Sequence, residues 1–179
     1  MLGGALIRDA AVMAAIFGVA GFAWLGWAQE RPPPRWRLPL GVGSVLSVLT
    51  GMAGAFLAWR HWGPDSALAT ESARESFGIV AGIELGSAAV GAGILAVRRQ
   101  GRWTSAWVCL VVGAHFVPLA FIFDDAGLHL LAGALVLVSM SSVVLTRRTG
   151  IHPSAIVGAG AGVVLWLFSV RSLLAVLTG

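Results

Sequence analysis

The sequence predicts an all-α fold, a polytopic bundle of six transmembrane helices. Of its 179 residues, 58% are hydrophobic and only 11% are charged, whereas a soluble domain carries about 25% charged residues. Six apolar segments run near or above the roughly 20 residues that a helix needs to cross a bilayer. These features exclude a soluble globular core with surface loops and indicate one membrane domain over residues 1–179.

The order of apolar segments and polar breaks predicts where each span begins and ends. The first is expected to be a retained span, because its apolar run is too long for a signal peptide, although Gly26-Trp27-Ala28 looks like a cleavage site. The prolines before the second span, Pro32 to Pro34 and Pro39, predict a non-helical connection. Asp65 or Ser66 is expected to cap the third span. The predicted spans are residues 5–28, 40–60, 77–97, 104–123, 126–146 and 154–177.

The distribution of arginine predicts the orientation of the chain. The first, third and fifth loops between spans carry three, three and two arginines, whereas the fourth carries no cation and two aspartates. Because positive loops are retained in the cytoplasm, these three loops are expected inside and both termini outside.

All twelve residues in the Lys and Arg class are arginines. This bias is typical of GC-rich bacterial genomes, so the expected location is the bacterial cytoplasmic (inner) membrane, with the lipid bilayer as the principal partner. The net charge of +4 does not indicate nucleic-acid binding, because the arginines lie in short clusters between apolar spans.

With this orientation, nearly every ionisable residue outside the arginine loops falls in the outer half of the membrane. Intramembrane charges usually face a bundle interior or water, so the pattern predicts a polar pocket that opens outward. Glu84 and His115 are expected near mid-membrane at similar depth, on adjacent spans, with Pro118 bending the fourth span beside the histidine. The predicted ligand pocket consists of Glu84, Ser87, His115, His129 and Arg171.

Each of these polar residues also has a structural explanation. Glu84 could be a protonated acid that hydrogen-bonds a neighbouring span. Asp125 could cap the fifth span, and Arg171 could extend to the lipid headgroups. Arg8 and Asp9, at the start of the first span, are interpreted mostly as interfacial.

Glycine stripes predict where helices approach each other closely. In the third span, Gly78, Gly82 and Gly86 form such a stripe opposite the glutamate, which predicts a central position for that helix. Together with Gly158 and Gly162 of the sixth span, the stripe is also a candidate seam for a homodimer.

Three classes of function follow from these residues. The first is binding or transport of a lipophilic small molecule, a lipid or an ion by Glu84 and His115. The second is an intramembrane enzyme, cyclase- or hydrolase-like, with Glu84, His115 and Asp125 in acid–base roles, or with His115, His129, Asp125 and Glu84 as metal ligands. The third is a structural membrane subunit. The spacing contains no compact metal motif and identifies no cofactor, so the choice between enzyme and binding protein stays open.

One segment also resembles a known group of proteins. The run from His115-Phe116-Val117-Pro118-Leu119-Ala120 to Phe123, followed by Leu128-His129, is similar to small six-span membrane proteins of actinobacteria. The resemblance covers about a quarter of the chain. It implies the six-span topology and the importance of His115 and Pro118, and it implies no particular reaction.

Overall fold

The structure, a computed structural model, describes residues 4–63 and 66–178. The described chain is all-helical, and its six helices are long and apolar enough to cross a membrane, as the composition predicts. Short 3₁₀ turns precede the second and fourth helices. The helices are α1 Gly4–Ala28, α2 Arg37–Arg60, α3 Glu71–Val97, α4 Thr104–Ile122, α5 Gly127–Thr149 and α6 Pro153–Thr178.

The second helix begins earlier than the prolines predict. It starts at Arg37, so Pro39 lies inside its first turn. The expectation of a non-helical chain through Pro39 was therefore wrong. A proline is tolerated in the first turn because the amide groups there have no acceptor within the helix.

The third helix also extends beyond its apolar part. It begins at Glu71, and the side chain of Thr70 accepts a hydrogen bond from the amide of Ala73 at 3.3 Å. Thr70 is therefore the cap, and the expected cap Ser66 instead accepts a bond from Leu68 in the preceding turn. Asp65, the other expected cap, lies outside the described residues.

Helix α1 packs closely against α2 through glycine. A Cβ atom added to Gly18 would lie 2.5 Å from the backbone nitrogen of Gly51, and one added to Gly54 would lie 2.6 Å from that of Ala15. The hydroxyl of Ser47 donates to the carbonyl of Gly18 at 2.8 Å across the same seam. Close backbone approach and interhelical hydrogen bonds are the interactions that hold helices together within a bilayer.

The glycines of α6 pack against the other side of α1. A Cβ atom on Gly158 would lie 2.6 Å from the backbone nitrogen of Ala28, and Gly162 approaches Leu25. The hydroxyl of Ser169 donates to the carbonyl of Ala14 at 2.6 Å. This seam is filled within one chain, so Gly158 and Gly162 do not form a free face for a homodimer.

Helix α3 lies at the edge of the bundle, which corrects the predicted central position. It packs against α4, and none of its residues is buried. Cβ atoms added to Gly78, Gly82 and Gly86 would meet nothing within 4 Å. A glycine stripe permits close packing but does not determine which helix packs against it. In this chain α1 packs against α2 and α6 rather than against α3.

The loops meet at two opposite ends of the bundle. Residues 29–36, 98–103 and 147–152 form what we call the arginine-rich end, where Arg31, Arg102 and His152 line one pocket. The other end, which we call the acidic end, contains residues 7–9 and 123–127 with their neighbours.

Candidate functional site

Helices α3 and α4 bring Glu84 and His115 together. The Nδ1 atom of His115 lies 3.5 Å from Oε1 of Glu84, and the two side chains are 14% and 20% exposed, respectively. The same Nδ1 lies 2.7 Å from the carbonyl oxygen of Val112. A carbonyl can only accept, so this bond places the ring proton on Nδ1 and leaves Nε2 as an acceptor in the neutral imidazole.

A contact further along the two helices fixes this pairing. The indole of Trp107 occupies the space that Gly91 leaves beside it and donates to the carbonyl of Ser87 at 3.1 Å. Ser87 is one turn beyond Glu84, and Trp107 is about two turns before His115. The contact therefore sets the register in which the carboxyl and the imidazole face each other. Ser87 itself contributes its backbone here and is not among the residues that line the cavity described next.

Glu84 and His115 lie in the wall of a cavity of about 500 Å³. Most of the lining is apolar and comes from α1 and α4. Aromatic side chains contribute much of it, among them Phe17, Trp24 and Phe116. The pair is therefore a small polar group set in an apolar pocket.

The cavity borders a gap between α1 and α3. The two helices both line the cavity, yet their described backbones do not approach each other, because α1 packs on α2 and α6 while α3 packs on α4. Ile16 of α1 lines the cavity and is nevertheless 57% exposed. The wall of the cavity is therefore partly exposed at Ile16.

The first turns of α1 hold the α2–α3 connection across one end of the cavity. A carboxylate oxygen of Asp9 accepts a hydrogen bond from the amide of Ala67 at 2.7 Å. The guanidinium of Arg8 donates to the carbonyl of Gly63 and lies over the ring of Trp62, 5.1 Å from its centroid. Arg8, Asp9 and Trp62 all line the cavity. The interfacial interpretation of Arg8 and Asp9 does not include these contacts. The sequence signal for them is that two oppositely charged residues are adjacent at the start of an apolar span.

The remaining candidates lie elsewhere. The carboxylate of Asp125 accepts a hydrogen bond from the amide of Gly127 at 2.8 Å and forms a salt bridge with Arg171 at 3.2 Å. The N-cap position of α5 is occupied by Ala126, so Asp125 does not take the expected capping position and bonds only the first amide of the helix. The partner of Arg171 is Asp125 rather than Glu84. His129 is exposed and packs edge-on against Phe121, with ring centroids 5.1 Å apart. Asp125, His129 and Arg171 do not line the cavity.

The candidate metal ligands are not gathered into one cluster. Within residues 4–63 and 66–178, no three His, Cys, Asp or Glu side chains are close enough to hold an ion together. Of the set His115, His129, Asp125 and Glu84, the structure joins only the pair Glu84 and His115.

Comparison with protein-family models, with curated proteins and with solved structures found no match to this chain.

Proposed function

We propose that the cavity binds a lipophilic small molecule whose polar group is a cation or a hydrogen-bond donor. The observation that carries the proposal is the Glu84–His115 pair in the wall of an apolar cavity of about 500 Å³. Small-molecule sites have volumes of about 300–1,000 Å³, with mostly apolar walls and a few polar groups that orient the ligand.

The chemistry of the pair selects the polar group. The carboxyl oxygens of Glu84 are acceptors, and Nε2 of His115 is an acceptor when Nδ1 donates to Val112. At the end of the cavity, Nε of Arg8 lies 3.5 Å from Oδ1 of Asp9, so the two side chains compensate each other's charge. An amine or a hydroxyl would therefore complement the site, whereas a carboxylate would face two acceptors.

The gap between α1 and α3 supplies a route for such a molecule. A ligand with an alkyl chain partitions into the bilayer, and it would enter the cavity past Ile16 without crossing water. Its chain would pack on the aromatic wall while its head reached Glu84.

We also propose that the arginine-rich end is cytoplasmic and that both termini are outside, in a bacterial cytoplasmic membrane. The support is that the three arginine-bearing loops lie together at one end of the bundle, and positive loops are retained in the cytoplasm. The cavity end tied by Arg8 and Asp9 would then face outward.

A reporter fusion tests this orientation. Alkaline phosphatase, which needs an oxidising compartment to form its disulfides, is expected to be active in a bacterial host when fused after Gly179 and inactive when fused after Gly150. Enzyme activity in cells is the measurement. The reverse pattern would place the termini inside and contradict the proposal.

Intramembrane acid–base chemistry on the bound molecule is a second candidate. The observation that favours it is that Glu84 and His115, two side chains that can act as general acid and base, lie 3.5 Å apart in the wall of the cavity. In that case His115→Gln would retain binding of the molecule and abolish its conversion, whereas a pure binding site would show no conversion by either chain.

Filling the cavity tests the binding proposal. Ala20 of α1 lines the cavity, so Ala20→Trp is expected to place an indole where the ligand's chain would lie and to reduce binding at least tenfold. The probe is tritiated tetradecylamine, measured by saturation binding to the full chain in phosphatidylcholine nanodiscs. Ala23→Trp, at an exposed position of the same helix, is the matched control and should bind as the parent chain does. Equal affinity of the Ala20→Trp and Ala23→Trp chains would contradict the location of the site.

A further inference from the structure

A second cavity, of about 220 Å³, lies at the arginine-rich end. It is bounded by the loops that precede α4 and α6 and by the segment that follows α1. It shares no lining residue with the cavity of Glu84 and His115.

The cavity contains a buried hydroxyl group that has no partner. Ser105 is 2% exposed, and its Oγ makes no hydrogen bond in the structure. Buried polar atoms are almost always hydrogen-bonded, and leaving one unpaired costs about 1–3 kcal/mol. Because Ser105 lines the cavity, a molecule bound there would supply the missing partner.

The neighbouring histidine offers a second donor. Both the hydroxyl of Ser154, at 2.8 Å, and its backbone amide, at 3.4 Å, face Nδ1 of His152. An amide can only donate, so Nδ1 is the acceptor and the ring proton of the neutral imidazole lies on Nε2. Burial, together with the nearby charge of Arg31, lowers the pKa of His152 below its ordinary value.

The surrounding charges favour an anion. Arg31 and Arg102 line the cavity together with a single acid, Glu30. Helices α4 and α6 both begin beside it, at Thr104 and Pro153, and the N-terminus of a helix carries partial positive charge. Two guanidinium groups, a hydroxyl and an imidazole N–H are all donors, which is the complement of an oxyanion.

We propose that this second cavity binds a phosphate group, held by Arg31, Arg102, Ser105 and His152. Arginine binds phosphate through paired, charge-assisted hydrogen bonds, and the position at the end of the bundle suits either a lipid headgroup or a free phosphate. The site is independent of the proposed function of the Glu84 cavity.

The test is the binding of two probes to the full chain in detergent, measured by microscale thermophoresis. The probes are inorganic phosphate and dioctanoyl phosphatidic acid, with dioctanoylglycerol as the phosphate-free control. Arg102→Gln and Ser105→Ala are expected to weaken phosphate binding about tenfold each. Arg98→Gln removes an arginine from the same end that does not line the cavity, and it should leave binding unchanged.

Ser105→Ala separates a ligand-binding role from a structural one. The hydroxyl has no hydrogen-bond partner within residues 4–63 and 66–178, so its removal should not lower the unfolding temperature of the unliganded chain. Binding of phosphatidic acid alone would identify a lipid headgroup, and competition by inorganic phosphate would identify a free phosphate. The proposal is overturned if neither probe binds, if Arg98→Gln weakens binding equally, or if Ser105→Ala destabilises the unliganded chain.

Discussion

Replacing Glu84 by glutamine is expected to weaken tetradecylamine binding about ten- to hundredfold. A hydrogen bond to a charged group contributes about 1.5–3 kcal/mol, and each 1.4 kcal/mol is about a factor of ten in affinity. The substitution keeps the shape of the side chain, removes its capacity to carry a negative charge and replaces one acceptor oxygen by an amide donor. The measurement is the dissociation constant in phosphatidylcholine nanodiscs, compared with the parent chain.

The matched control is Glu75→Gln on the same helix, because Glu75 is exposed and does not line the cavity. It should bind the amine as the parent chain does. The unfolding temperature distinguishes a binding role from a structural one. If Glu84 only joined α3 to α4, Glu84→Gln would lower that temperature substantially without a selective effect on the amine.

The largest effect on stability is expected from Gly18→Val. A Cβ atom at Gly18 would lie 2.5 Å from the backbone nitrogen of Gly51 and 2.8 Å from the carbonyl oxygen of Ser47. These are backbone atoms, so the clash is relieved only by separating α1 from α2. Overpacking costs about 1–3 kcal/mol or more, and separation would also break the bond from the Ser47 hydroxyl. The unfolding temperature of Gly18→Val in detergent, measured by tryptophan fluorescence, should fall clearly below that of the parent chain.

Gly26→Val controls for the loss of glycine itself. Gly26 lies on the same helix, and a Cβ atom there would meet nothing within 4 Å. Both variants change helix propensity equally, so the difference between their unfolding temperatures reports the contact with α2. Equal unfolding temperatures would mean that α1 and α2 do not approach as described.

Composition and hydropathy were sufficient to predict the six helices. Long apolar runs separated by arginine and proline leave the backbone little alternative, because each polar group within a bilayer must be bonded inside its own segment. The ends were less predictable. Pro39 lies within the first turn of α2, and Thr70 rather than Ser66 caps α3. The local sequence is compatible with more than one start for each of these helices.

The positions of the glycines did not predict which face of each helix packs against a neighbouring helix. Gly78 and Gly158 both belong to plausible stripes, yet only Gly158 meets another helix. The choice depends on the complementary surface of α1, which no single stripe encodes. Depth along the spans did predict that Glu84 and His115 could meet, and the structure places them 3.5 Å apart. The contributions of Arg8 and Trp62 to the cavity depend on the path of a loop, which periodicity does not describe.

The central claim is that Glu84 and His115 select the polar group of a lipophilic ligand. It is tested most directly by the ratio of the dissociation constants for tetradecylamine and tetradecanoic acid, measured on the parent chain and on Glu84→Gln in the same nanodiscs. The two probes share an alkyl chain and differ in the charge of the head. We predict that the parent chain binds the amine at least tenfold more tightly than the acid, and that this preference disappears in Glu84→Gln. A ratio that is the same in both chains would contradict the claim.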